Sequence, residues 1–289
     1  MHRERTILIG NGPFRLVERE KSWIRLLDDL FERCKLTRDP NIPLPIAFDL
    51  LVAALDNNLN RYRSYYKNLQ GLDDRFLQAL DHAEGPRTGL KYFMADWFNE
   101  RGTAMDDSRL VSYIEAVKRL RPSKVLTTNY DLRLERILPD NMHVIHCHGG
   151  IKRPKTICIG LSDYLDSINS IRTCLQEIKT EASSHWPLHF INTDLIISGF
   201  SCDFQELDFW TLLNIRADFY ANKQDEANRI IYLDLTASGD TARDSSKIKA
   251  MRQLGVTVIP VTVSDNDYSD AYIKSIEYAT DALTGAWPY

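Results

Sequence analysis

Short runs of aliphatic and β-branched residues alternate along this chain with stretches whose apolar positions recur every three or four residues. The first run, Thr6-Ile7-Leu8-Ile9, predicts a strand that ends in Gly10-Asn11-Gly12-Pro13. Trp23, Leu26, Leu27, Leu30 and Phe31 then follow at the spacing of one helix face. Similar runs predict strands over 124–128, 144–147, 156–159, 195–198, 229–235 and 256–263, the one at 195 apolar enough to be covered on both sides. Between them, Leu110, Ile114, Val117 and Leu120 form a stripe that Asp107 or Ser108 can cap and Pro122 stops. Residues 244–254 read as helical, as do Ile273, Ile276, Tyr278 and Leu283 near the C-terminus.

From 39 to 107 the strand signal disappears. That segment is rich in Leu, Ala, Tyr and Asn and is punctuated by Pro43, Pro45, Gly71 and Gly85-Pro86, so it predicts an insertion of several short helices. About six strands with helices between them predict an α/β fold: one domain over 1–289, a Rossmann-like doubly wound parallel sheet carrying the 39–107 insertion. In such a sheet ligands bind outside the carboxyl ends of the strands, so chemistry is sought just after each strand.

Composition narrows the function classes. The 289 residues are 44% hydrophobic and 26% charged, as in packed soluble domains, with a net charge of −4 that gives no global attraction to nucleic acid or anionic lipid. No apolar run approaches the ~18 residues of a membrane span, and the N-terminal apolar stretch is too short for a signal peptide. The five cysteines, Cys34, Cys147, Cys158, Cys174 and Cys202, are never closer than 11 positions apart. That spacing excludes a CxxC pair or zinc ribbon and predicts free thiols in a reducing cytoplasm.

Four predicted strand ends carry small or polar residues. Gly10-Asn11-Gly12 would let a phosphate approach the backbone at a helix N-terminus, although such a pair of glycines also occurs in plain turns. Thr127-Thr128-Asn129-Tyr130-Asp131 offers two hydroxyls, an amide and a carboxylate, where one helix cap would suffice. His146-Cys147-His148-Gly149-Gly150 follows; strand alternation would put both histidines on one face and Cys147 on the other, which disfavours a thiol nucleophile. With no carboxylate or cysteine partner at a recognisable spacing, no metal is expected there, and His148 is better suited to general base work near neutral pH. Gly199-Phe200-Ser201-Cys202-Asp203 again allows close approach or simply caps a helix. Together the four loops favour a nucleotide site holding an Asn, an Asp and a His.

These residues resemble the sirtuin superfamily, and more closely its SIR2-like bacterial branch associated with antiphage defence. Gly10-Asn11-Gly12 stands where that family has its first NAD loop, with Phe14 just beyond it, and Thr128-Asn129-Tyr130-Asp131 is similar to its Asn-Tyr-Asp signature. His148-Gly149 resembles the catalytic His-Gly, and Gly199-Phe200-Ser201 the later Gly-x-Ser beside NAD. The first loop departs from the sirtuin Gly-Ala-Gly-x-Ser, and the four-cysteine zinc module of the deacylases is missing from 39–107. The resemblance therefore implies hydrolysis of NAD, as substrate, to nicotinamide and ADP-ribose in abortive infection, in place of deacylation.

On that reading Asn129 would hold the ribose and a water, His148 would act as base, and Asp131 would orient Asn129 or steady positive charge. Asp234, at a later strand, is the candidate for the adenine end. Such an activity implies a homo-oligomer or a regulatory partner such as a HerA-like ATPase, a STAND-type sensor or an Argonaute-like protein. The competing readings are an NAD or ADP-ribose binding subunit without turnover and, less favoured, a protein deacylase. Arg61-Tyr62-Arg63-Ser64-Tyr65-Tyr66-Lys67 interleaves cations with rings as single-strand binders do, but in an acidic chain it reads better as a solvated helix face or a protein contact.

Overall fold

The alternation of strands and helices closes into a six-stranded, all-parallel sheet in the computed structural model, which describes residues 3–16, 22–67, 84–100, 108–176, 185–237, 245–264 and 267–285. The strands are β1 (Arg5–Ile9), β2 (Lys124–Thr127), β3 (Val144–His146), β4 (Asp194–Ser198), β5 (Ile230–Ala237) and β6 (Val256–Val263). The helices are α1 (Trp23–Arg33), α2 (Leu44–Lys67), α3 (Pro86–Glu100), α4 (Ser108–Leu120), α5 (Arg133–Ile137), α6 (Leu161–Gln176), α7 (Trp186–Asn192), α8 (Leu207–Phe219), α9 (Ser246–Gln253) and α10 (Tyr268–Thr284). No helix among the described residues is long and apolar enough to cross a membrane.

Strand order is β3-β2-β1-β4-β5-β6, the doubly wound arrangement. The chain builds outward from β1 to one edge and then returns to build the other. β1 therefore pairs with β2 and β4 at once, placing Ile9 opposite Thr127 on one side and Ser198 on the other. A crevice opens where the order reverses, outside the carboxyl ends of these central strands.

Side-chain alternation assigns each face its core. Ile7, Ile9, Val125 and Ile196 pack with residues of α4 and α10, whereas Leu8, Leu126, Leu195 and Ile197 pack with α7, α8 and α9. A third apolar cluster holds α1, α2 and α3 together and includes Tyr130, Ile151 and Ile157 from the loops after β2 and β3. In place of the several short helices predicted, the described part of 39–107 holds the 24-residue α2, which runs on through Pro45, and the 15-residue α3, and α1 belongs to the same layer.

Ion pairs fasten this layer to the body. Lys91 Nζ lies 2.7 Å from Asp163, and Arg87 bridges Asp49 at 2.6 Å and Asp163 at 3.4 Å. The side-chain carbonyl of Gln205 accepts from the Leu44 amide at the start of α2.

Two local expectations need correcting. The strand predicted at 156–159 is a 3-10 turn, Pro154–Thr156, followed by irregular chain. Its amides are used locally: Cys158 N donates to the His148 carbonyl, and Ile159 N and Gly160 N donate to Asp163. Likewise β3 ends at His146, so strand alternation does not extend to His148. The two histidines consequently point to different surroundings. The backbone of 61–67 continues α2, but the side chains of the Arg/Tyr stretch lie outside the described residues.

Candidate functional site

A cleft of about 840 Å³ occupies the crevice at the reversal point. Its floor is lined by Asn11 and Gly12 after β1, Thr128 and Asn129 after β2, His148 after β3, Gly199, Phe200 and Ser201 after β4, and Asp234 within β5. Trp23 of α1, with Arg38, Ile42 and Leu44 leading into α2, lines it from the helical layer. Tyr272 of α10 and Lys247 of α9 complete the wall, Lys247 Nζ donating to the Ser201 carbonyl at 2.7 Å.

The glycines do two jobs here. Gly10 N donates to Ser198 O and Gly12 N to Gly199 O, so the loops after β1 and β4 are laced together directly over the central strands. A Cβ on Gly10 would lie 2.4 Å from the Gly199 carbonyl oxygen, and one on Gly199 would lie 2.2 Å from Pro13 Cδ, at a positive φ of 65°. A Cβ on Gly12 would lie 2.1 Å from Tyr272 Oη, so all three are packing glycines; Gly12 and Gly199 line the cleft and Gly10 does not.

Asn129 is held from several sides. Its amide donates to Thr127 Oγ1, whose hydroxyl donates to the Ile9 carbonyl, and its side-chain Nδ2 donates to Gly10 O at 3.3 Å. Its carbonyl accepts from His146 Nδ1 at 2.6 Å, and His146 Nε2 lies 3.0 Å from Glu135 Oε1. Both partners of this ring are acceptors, so the doubly protonated imidazolium satisfies both. Burial pulls the His146 pKa down, but the Glu135 hydrogen bond and charge and the Asn129 carbonyl outweigh it and raise the pKa above the ordinary histidine value. His146 therefore braces the Asn129 loop.

His148 is built differently. Its Nε2 lies 3.1 Å from Asp208 Oδ2 and 3.9 Å from Glu206 Oε2, with Tyr164 and Phe209 edge-on at 5.4 and 5.5 Å. Asp208 is fully buried in the first turn of α8, where the helix N-terminus favours its charge, and it also accepts from Ser167 Oγ and the Phe209 amide. Glu206 immediately precedes α8, lines the cleft and accepts from Tyr164 Oη at 2.8 Å. Burial opposes charge on His148, yet Asp208 and Glu206 prevail and hold its pKa above the ordinary value. The two carboxylates that act on it come from 58 and 60 positions downstream.

The other expected residues fall as follows. Thr128 is buried at the cleft wall. Asp131 does not line the cleft; its carboxylate accepts from the Arg133 amide in a local turn before α5 and pairs with the Arg133 guanidinium at 2.7 Å. Phe14 is fully buried in the core beneath Arg133, 4.4 Å from its guanidinium, and so is corrected from ligand contact to core. The five cysteines are free and buried, and burial pushes the thiols of Cys147, Cys158 and Cys202 upward, away from the thiolate form.

Sequence reasoning missed Glu206, Asp208 and Tyr164. The available signal was a pair of acids at a helix start just after a strand, which reads first as ordinary capping. It also found no carboxylate partner for His148, whereas one ligand atom from each of His148, Glu206 and Asp208 lies within 4.8 Å of the others, the geometry in which a divalent ion could be held. The chain matches no family model and no curated protein.

Proposed function

We propose that the cleft binds NAD and hydrolyses its nicotinamide–ribose bond, releasing nicotinamide and ADP-ribose. The observation that carries this reading is that Asn129 and His148, from loops after different strands, line one cleft at the reversal point of a doubly wound sheet. Gly12, Gly199 and Ser201 line the side of the cleft assigned to the pyrophosphate, and Asp234, further along the sheet, is the candidate for the adenosine half.

The scissile bond joins the ribose to a cationic ring nitrogen, so its electron pair leaves with a neutral nicotinamide while positive charge develops at C1′. The carboxamide of Asn129 is suited to this without ionising, since it can donate to a ribose hydroxyl and accept from a water together. Asp208 fixes the His148 proton on Nε2, which leaves Nδ1 to engage the ribose hydroxyl, as a carboxylate orients an imidazole in other hydrolases. The resemblance to SIR2-like proteins supports a place for this activity in antiphage defence, as a homo-oligomer or under a partner such as a HerA-like ATPase.

NAD binding without turnover is a second reading, favoured by the ion pair that keeps His148 protonated to higher pH. The pure chain incubated with NAD distinguishes the two. Nicotinamide release that drops roughly 10²-fold or more in Asn129→Ala and in His148→Ala is the expected result. Full release in both variants would defeat the hydrolase reading, and tight binding with no product would favour the second.

A further inference from the structure

Three carboxylates line the cleft, those of Asp203, Glu206 and Asp234, and of these Glu206 comes within 4 Å of His148. Asp208 is nearer to the imidazole, but it is fully buried, does not line the cleft and already accepts from Ser167, the Phe209 amide and His148. The two acids thus divide: both approach His148 Nε2, Asp208 as a fully buried pairing partner and Glu206 as the one that lines the cleft. Glu206 is fixed in that position by the Tyr164 hydroxyl and by its own amide, which donates to the Asp203 carbonyl. A carboxylate so placed is not needed to pair His148, because Asp208 already does so.

We propose that Glu206 is a further catalytic residue of this cleft, accepting the proton of the water that attacks C1′ and opposing the positive charge that develops there. This inference rests on the NAD-cleaving reading. The water oxygen bonds to C1′, the C1′–N bond breaks with its electron pair passing to the nicotinamide nitrogen, and the water proton passes to the Glu206 carboxylate and then to solvent. NAD and water become nicotinamide, ADP-ribose and one proton.

The neighbouring charges agree with this division. Asp208 and Glu206 raise the His148 pKa above the ordinary histidine value against the pull of burial. The titratable groups facing Glu206 are His148, Asp208, Tyr164, Tyr130, Asp203, Cys158 and Cys202. Burial, with Asp208 and Asp203, raises the Glu206 pKa against the opposing pull of His148 and Tyr164.

The test compares the wild-type chain with Glu206→Gln for nicotinamide release across pH, alongside equilibrium NAD binding and melting temperature. The expected result is a kcat lower by about 10²-fold or more, with NAD affinity and fold near wild type and the acid limb of the profile lost. Glu206→Asp should recover part of the rate. If Glu206→Gln does not fold, Tyr164→Phe keeps the carboxylate but removes its donor, and should move the acid limb to higher pH. A wild-type rate in Glu206→Gln, or an acid limb unmoved in Tyr164→Phe, overturns the inference alone. A silent wild type defeats the hydrolase reading and this inference with it. Activity that needs an added divalent ion, lost with a chelator, would make Glu206 a ligand and overturn its role as proton acceptor.

Discussion

At the scale of single residues, His146 and His148 stand two positions apart and are held by different acids, Glu135 for the first and Asp208 for the second. His146 bridges Glu135 to the Asn129 carbonyl, so its charge links the fold to the loop that carries the candidate carboxamide. Its folded pKa is raised above the unfolded value, so the stabilisation is complete below about pH 6.5 and fades as pH climbs through the folded pKa. The melting temperature is therefore expected to fall across that window. His146→Gln should flatten this slope, and differential scanning calorimetry at stepped pH would measure it; an unchanged slope would assign the loss elsewhere. The histidines were visible in the sequence as candidates, but their partners were not. Strand alternation predicted a shared face because it assumed the strand ran on to His148, whereas it ends at His146.

Among elements, the loops after β1 and β4 are joined by glycine backbone. Gly199 sits at a φ of 65° with Pro13 in the place a Cβ would take, so Gly199→Ala adds a steric clash to conformational strain. A loss of about 2–4 kcal/mol in urea unfolding is expected. Gly85→Ala, with a φ of 92° but open space around it, should cost only about 1 kcal/mol. Equal losses in the two variants would show that the contact with Pro13 carries no weight. The same loops illustrate what a local pattern conveys. The pair of glycines around Asn11 read as a phosphate cradle, yet both serve the contact between loops, and Gly12 also lines the cleft. The segment 156–159 has strand-like composition, but its amides are spent on Arg153, Pro154, His148 and Asp163, and it pairs with none of the described strands.

For the molecule as a whole, the helical layer bounds the cleft only because it is fastened to the sheet domain. Lys91 and Asp163 form a largely buried pair in that fastening, and Asp163 also accepts two backbone amides. Asp163→Asn leaves the Lys91 charge buried without its counter-ion, and about 3–5 kcal/mol of stability should be lost. The double change Lys91→Met with Asp163→Leu should lose less, and chemical denaturation of both variants would check the difference. Sequence by itself determined the alternation of strands with helices, the parallel sheet, the helical layer and the positions of the strand-end loops. It could do so because periodicity and punctuation are local properties of the chain. Tertiary structure alone decided that Glu206 and Asp208 meet His148 and that Phe14 goes to the core. Those outcomes depend on which side chains come close across dozens of intervening residues, and burial and charge pairing act through distance in space, to which a linear pattern is blind.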